Sequence, residues 1–87
     1  MAESELQKKL QDLSDEIERT ETDDAAKQTS LNEIQNLIQK ALDEPEDYHK
    51  QSLRDRLRES LLSFGIEHPS LAANMETVSE YLSSLGI

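Results

Sequence analysis

Few residues in this chain could do chemistry. Glu46 and His49 form a Glu-x-x-His pair, which sets a carboxylate and an imidazole one helical turn apart. Carboxylate-bridged dimetal bundles use two such motifs plus two further inward-facing Glu residues. Here there is one motif, it straddles a helix start beside Pro45, and no acid occupies an apolar seam position. The expectation is no metal and no cofactor, with His49 a partly exposed side chain flanking Leu53 one turn on. His68, the other histidine, precedes Pro69. It reads as a helix-cap position, with a pH-sensitive or partner-contacting role as the functional alternative. No catalytic residue is expected. There is no cysteine, and Ser63, Ser70, Ser83 and Ser84 read as helix-end or surface serines with no base to activate them. The two glycines cannot build a phosphate-binding loop.

Lys50, Arg54 and Arg58 recur at steps of four, which places them on one helix face. This basic strip could meet an anionic partner. More simply, it meets acids on a neighbouring helix, and the last helix, which has no base, offers Glu76 and Glu80. Tyr48 and Tyr81 read as rim residues with the ring buried and the hydroxyl wet. Tyr81 suits a core edge or a dimer face equally.

Four periodic segments must position these groups. In residues 3–20, Leu6, Leu10, Leu13 and Ile17 follow steps of four, three and four, a narrow one-sided helical seam. Ser4 could cap this helix, with Gln7 three residues on. Thr22 or Asp23 is the expected cap of a second helix reaching Asp43, with seam Leu31, Ile34, Ile38 and Ala41 widened by Leu37 and Leu42. Ser30 and Glu33 also fit a capping box, so a late start or a bend at Ser30 is the alternative. Pro45 cannot lie within a helix and turns Glu44 away from helical geometry. A third helix is expected over 47–64, with Leu53, Leu57, Leu61 and Phe64 as its seam and Leu62 alongside. Pro69 fits the first position of a fourth helix, which carries Leu71, Met75, Val78, Leu82 and Leu85. No seam includes a polar residue in this reading.

The last two helices end alike. Leu61 to Ile66 reads Leu-Leu-Ser-Phe-Gly-Ile and Leu82 to Ile87 reads Leu-Ser-Ser-Leu-Gly-Ile. A left-handed glycine just past a helix end, followed by an apolar residue that packs back on the third-last helical residue, is the Schellman stop. Gly65 with Ile66 and Leu61, and Gly86 with Ile87 and Leu82, both fit it.

The connections are short, so sequential helices should be antiparallel neighbours. The fold class is all-α, a single domain over 1–87. It is an antiparallel bundle of four helices, or two helical hairpins completed by dimerisation. Only 3% of residues are aromatic and none is cysteine, so the core is thin and no disulfide can brace it. Self-association is the expected route to further burial.

The net charge of −10 divides as −3 over residues 1–20, −4 over 21–44, 0 over 45–65 and −3 over 66–87. Such a surface repels phosphate backbones and anionic lipid, so neither nucleic acid nor membrane is an expected partner. No apolar run approaches a membrane span, and the segment "MAESELQKKL" lacks a signal-peptide core. A cytoplasmic protein is expected.

The ending "HPSLAANMETVSEYLSSLGI", with His68-Pro69, Leu71 and Gly86-Ile87, resembles that of a family of small bacterial helical proteins, the domain-of-unknown-function family 4404. The similarity extends over the chain, and residues 61–87 carry it most specifically. The resemblance implies a bacterial source and an all-helical fold, and no activity. It also implies more continuous helix after Phe64 than a stop at Gly65-Ile66 would allow. The functional reading is a non-enzymatic interaction or structural module that self-associates or docks a helical partner. The alternative is an acidic decoy for a basic protein surface.

Overall fold

The computed structural model describes residues 2–44 and 46–86, with side chains from Glu5 onward. Four helices, α1 (Ala2–Arg19), α2 (Ala25–Asp43), α3 (Asp47–Phe64) and α4 (Pro69–Ser84), account for nearly all of it. Each packs against the two beside it, α1 with α2, α2 with α3, α3 with α4 and α4 with α1. Among the described residues the diagonal pairs do not approach. The result is a closed antiparallel bundle 37 Å long, a little more than the roughly 27 Å of an 18-residue helix.

Closure answers the question of hairpins against bundle. Leu10, Leu13, Ile34, Ile38, Leu53, Leu57, Phe64, Met75, Val78 and Leu82 are wholly buried within one chain, and every helix contributes at least two of them. Leu37, Leu42, Leu61, Ala72 and Tyr81 pack around this core at half-buried positions. The expected widening of the α2 seam by Leu37 and Leu42 is therefore present. No second chain is needed to finish the core. Among the described residues, no helix is long and apolar enough to cross a membrane.

Four expectations are corrected. First, α1 begins at Ala2, ahead of its expected cap Ser4, and the cap of α2 is Asp24 rather than Thr22 or Asp23. Asp24 Oδ1 accepts from the amides of Ala26 at 2.9 Å and Lys27 at 3.3 Å. Thr22 Oγ1 accepts from the Asp24 amide at 3.2 Å, so Thr22 shapes the turn that delivers the cap. From there α2 runs unbroken through Ser30.

Second, Gly65 is not a left-handed stop. Its φ of −61° and ψ of −30° are right-handed helical. Its amide donates to the Leu61 carbonyl at 2.9 Å, and the His68 amide donates to the Phe64 carbonyl at the same distance. The chain leaves α3 through a turn over 65–67 and breaks before Pro69, whose ring biases the preceding residue out of the helical region. His68 accordingly sits at φ −133° and ψ 67°. Gly86 does take the left-handed conformation, at φ +78°, where an L side chain would be strained. Ile87, the other half of that stop, lies outside the described residues.

Third, Leu62 and Ile66 are 89% and 91% exposed. With Gly65 right-handed, Ile66 falls one turn beyond Leu62 on the outer face and cannot fold back on Leu61.

Fourth, the seams hold polar residues after all: Ser14, His49, Ser60 and Ser79 are buried. Small hydroxyl residues let helices approach without a large apolar side chain between them.

Candidate functional site

The densest group of chemically capable side chains lies at the corner between α2 and α3. Glu44 is the C-terminal cap of α2, in extended conformation, with its amide bonded to the Lys40 carbonyl. Glu46 holds the N-cap position of α3 but makes no side-chain capping bond. His49 follows in the first turn of α3, on the inward face one turn before Leu53. It is 6% exposed, against the expectation of a partly exposed ring. The physical reason is phase: residue 49 continues the four-residue spacing of Leu53 and Leu57, and the corner folds over it.

His49 Nε2 lies against Glu44 Oε2 and 4.0 Å from Glu46 Oε2. It makes no hydrogen bond among the described residues. One ligand atom from each of Glu44, Glu46 and His49 lies within 4.8 Å of the others. The Tyr48 ring packs on the imidazole with centroids 4.0 Å apart. Both carboxylates are about half exposed, so the cluster is open to water on its acidic side and closed on its imidazole side. Beside it, Leu6, Leu10, Ala41, Leu42, Glu44 and Lys50 line a cleft of 190 Å³. That is below the roughly 300 Å³ where small-molecule pockets begin.

The basic strip is on α3 as expected, but its partners are not the expected acids. Arg58 Nε donates to Ser79 Oγ at 3.1 Å, and its Nη2 donates to Ser83 Oγ. Arg54 pairs with its sequence neighbour Asp55 at 3.1 Å. Lys50 is half-buried at the cleft. Among the described residues no ion pair joins the strip to Glu76 or Glu80. With Val78 and Leu82 packed into the core, Ser79 and Ser83 are the α4 positions turned toward α3, and the two glutamates face solvent. His68 lies at the far end of α3 from His49. Its carbonyl accepts from the Ala72 amide at 3.0 Å, and its side chain makes no capping bond. Its ring stands 6.1 Å from that of Phe64, at the edge of an open groove formed with Glu16, Arg19 and Thr20. The two histidines form no common site.

The model of the family described as Domain of unknown function (DUF4404) matches residues 6–87. The chain belongs to this family. No curated protein and no solved structure matches it.

In this DUF4404 chain the Tyr81 hydroxyl donates to Glu5 Oε2 at 3.2 Å, tying the end of α4 to the start of α1. Lys9 Nζ lies 5.2 Å from the Tyr81 ring centre, within cation–π range. Burial, and then the Glu5 carboxylate, raise the phenol above its usual pKa. Tyr81 is thus a core-edge residue with its polar end engaged.

Three contacts of the DUF4404 bundle escaped the reading of the sequence. Arg56, off the strip, bridges α3 to Glu33 of α2 at 2.6 Å. Lys27 pairs with Glu67 at 3.1 Å. Glu44 joins His49 from across Pro45, where a search for spacings within one helix does not look.

Proposed function

We propose that this chain is a non-enzymatic helical module of the cytoplasm that self-associates weakly through the outer face of α3. The observation that carries this reading is the exposed pair Leu62 and Ile66, one turn apart and 89% and 91% exposed. Two large aliphatic side chains at adjacent turns form an apolar patch with no partner inside the bundle, the kind of feature that marks contact surfaces. Charge favours a second copy at the same place. Residues 45–65 carry four acids and four bases, whereas every other quarter of the chain is net negative. The α3 face is where two acidic chains repel least. The predominantly aliphatic seams support a non-enzymatic role. The acid excess disfavours nucleic acid and anionic membrane as partners.

Two side chains cannot by themselves supply the roughly 1,200 Å² of a stable interface, so the dimer is weak, with Kd of about 0.1–1 mM, or roughly −4 to −5.5 kcal/mol. Sedimentation equilibrium up to about 1 mM protein should show a reversible dimer. The double variant Leu62→Ser, Ile66→Ser should be monomeric at the same concentration with an unchanged melting temperature. A wild-type chain that stays monomeric throughout, or a variant that associates equally well, removes the proposal. The second reading, a decoy for a basic protein surface, rests on the −10 charge. It calls for a partner that binds both forms alike.

A further inference from the structure

We infer that Glu44, Glu46 and His49 form a binding site for a divalent transition-metal ion of the zinc class at the corner between α2 and α3. The inference is independent of self-association. Two acidic residues near a turn would carry little weight alone. What gives them weight is the imidazole. The His49 side chain is 8% exposed, its Nε2 has no hydrogen bond among the described residues, and that nitrogen faces both carboxylates. Its close contact with Glu44 Oε2 lacks hydrogen-bond geometry, and a buried polar nitrogen without a hydrogen bond is costly to leave. A cation held between it and the two glutamates would satisfy it.

The positions of the carboxylates point the same way. Glu46 stands at the N-cap of α3 without bonding the helix amides, and its side chain lies toward His49 instead. Glu44 stands at the C-terminal end of α2, where the helix dipole disfavours a negative charge. A cation at the corner offsets that charge and joins the two helices across Pro45.

Donor chemistry selects the ion. One imidazole nitrogen and two carboxylate oxygens suit zinc and its neighbours, which accept nitrogen and oxygen together, with a water completing the set. Calcium and magnesium prefer oxygen throughout and more ligands than the three gathered here. The donors lie within 4.8 Å of one another. Around zinc, with bonds of about 2.0–2.1 Å, they would stand about 3.3 Å apart. Reaching that spacing requires only rotation of the two half-exposed carboxylate side chains, Glu44 away from Nε2 and Glu46 toward it.

The test is titration of the whole chain with zinc ion alone, competing against a chromophoric chelator and read in parallel by the ring nitrogen resonances of the two histidines. One equivalent of zinc should bind and move the His49 Nε2 resonance while leaving that of His68 in place. Glu44→Gln and Glu46→Gln should each weaken binding at least about tenfold, and His49→Gln should abolish the one-equivalent step. Glu46 is exposed and caps nothing, so Glu46→Gln gives a clean answer even where His49→Gln unfolds the corner. Calcium in roughly hundredfold excess, which prefers oxygen throughout and more ligands, should leave the zinc bound. Equal movement of both histidine resonances, or unchanged affinity in both Glu variants, would mean zinc held loosely by the acidic surface and would overturn the inference. Absence of binding would do the same.

Discussion

The pairing of α1 with α2 rests on a reciprocal contact whose energy can be isolated. Ser14 Oγ donates to Gln35 Oε1 at 2.8 Å, and Gln35 Nε2 donates back to the Ser14 carbonyl at 3.1 Å. Ser14 is 3% exposed and Gln35 is half-buried. Ser14→Ala removes the first bond and keeps the second. A net hydrogen bond contributes about 0.5–1.5 kcal/mol, and alanine returns up to about 0.5 kcal/mol of helix propensity over serine. The single variant should therefore lose about 0.5–1 kcal/mol. Gln35→Ala removes both bonds and should lose about 1.5–2.5 kcal/mol. In a double-mutant cycle the bond to the Ser14 carbonyl cancels, because it is absent in both Gln35→Ala chains. The coupling energy then reports the Oγ–Oε1 bond alone, about 1 kcal/mol. Urea unfolding monitored by circular dichroism is suited to a two-state chain of this size. A melting experiment should shift by about 4–8 °C per kcal/mol. Coupling below about 0.3 kcal/mol, the ordinary error of additivity, would refute this register of α1 on α2.

The two glycines should respond oppositely to alanine. Gly65→Ala meets a right-handed backbone that any residue adopts and gains from a less flexible unfolded chain. The new Cβ would stand 3.0 Å from the Leu61 carbonyl, which reduces the gain, so stability should rise by at most about 0.5 kcal/mol. Gly86→Ala, at φ +78°, should cost about 1 kcal/mol. A loss of about 1 kcal/mol or more at Gly65 in thermal melts would restore the left-handed stop there. Tyr81 gives a pH signature. Its phenol holds its proton more tightly in the folded chain than in the unfolded one, because of burial and Glu5. Its contribution is therefore intact below the unfolded pKa of about 10 and is lost as pH rises through the higher folded value. The stability difference between wild type and Tyr81→Phe should be flat to about pH 9 and then fall. In a Tyr48→Phe background, absorbance titration of the remaining phenol should move down in pH with Glu5→Gln.

Helix number, order and inward faces were legible because apolar spacing near 3.6 residues has one geometric meaning. The bounds 47–64 for α3 and the Pro69 start of α4 follow from proline chemistry and agree with the structure. What stayed hidden has physical reasons too. Gly65-Ile66 and Gly86-Ile87 look the same in sequence, yet only Gly86 is left-handed. α3 ends at Phe64 without a left-handed residue, and Pro69, four residues after Gly65, sets the break before α4. Ser14, Ser60 and Ser79 occupy interface positions that a count of apolar residues passes over. Arg58 reaches Ser79 and Ser83 because a rotation of roughly 60–100° on α4 decides between serine and glutamate, and neither residue's identity records that rotation. The Glu44–Glu46–His49 cluster depends on how two helices meet across Pro45, which no spacing within either helix encodes.

Salt separates the two functional readings by sign. A pair of chains each carrying −10 repel, and the Debye length falls from about 30 Å at 0.01 M to about 10 Å at 0.1 M. Most of the acids sit on α1, α2 and α4, farther from an α3 contact than the balanced charges of α3 itself. Their repulsion is long-range and readily screened, whereas the Leu62–Ile66 contact is apolar and is not. Self-association through α3 should therefore strengthen between about 0.01 and 0.15 M salt. A decoy held to a basic surface gains its energy from opposite charges, so its binding should weaken over the same range. The contact also needs no acid of α1 or α2. Neutralising Asp12 and Asp15 to Asn should ease self-association at low salt and leave it unchanged at high salt, where screening has already removed what those charges contribute.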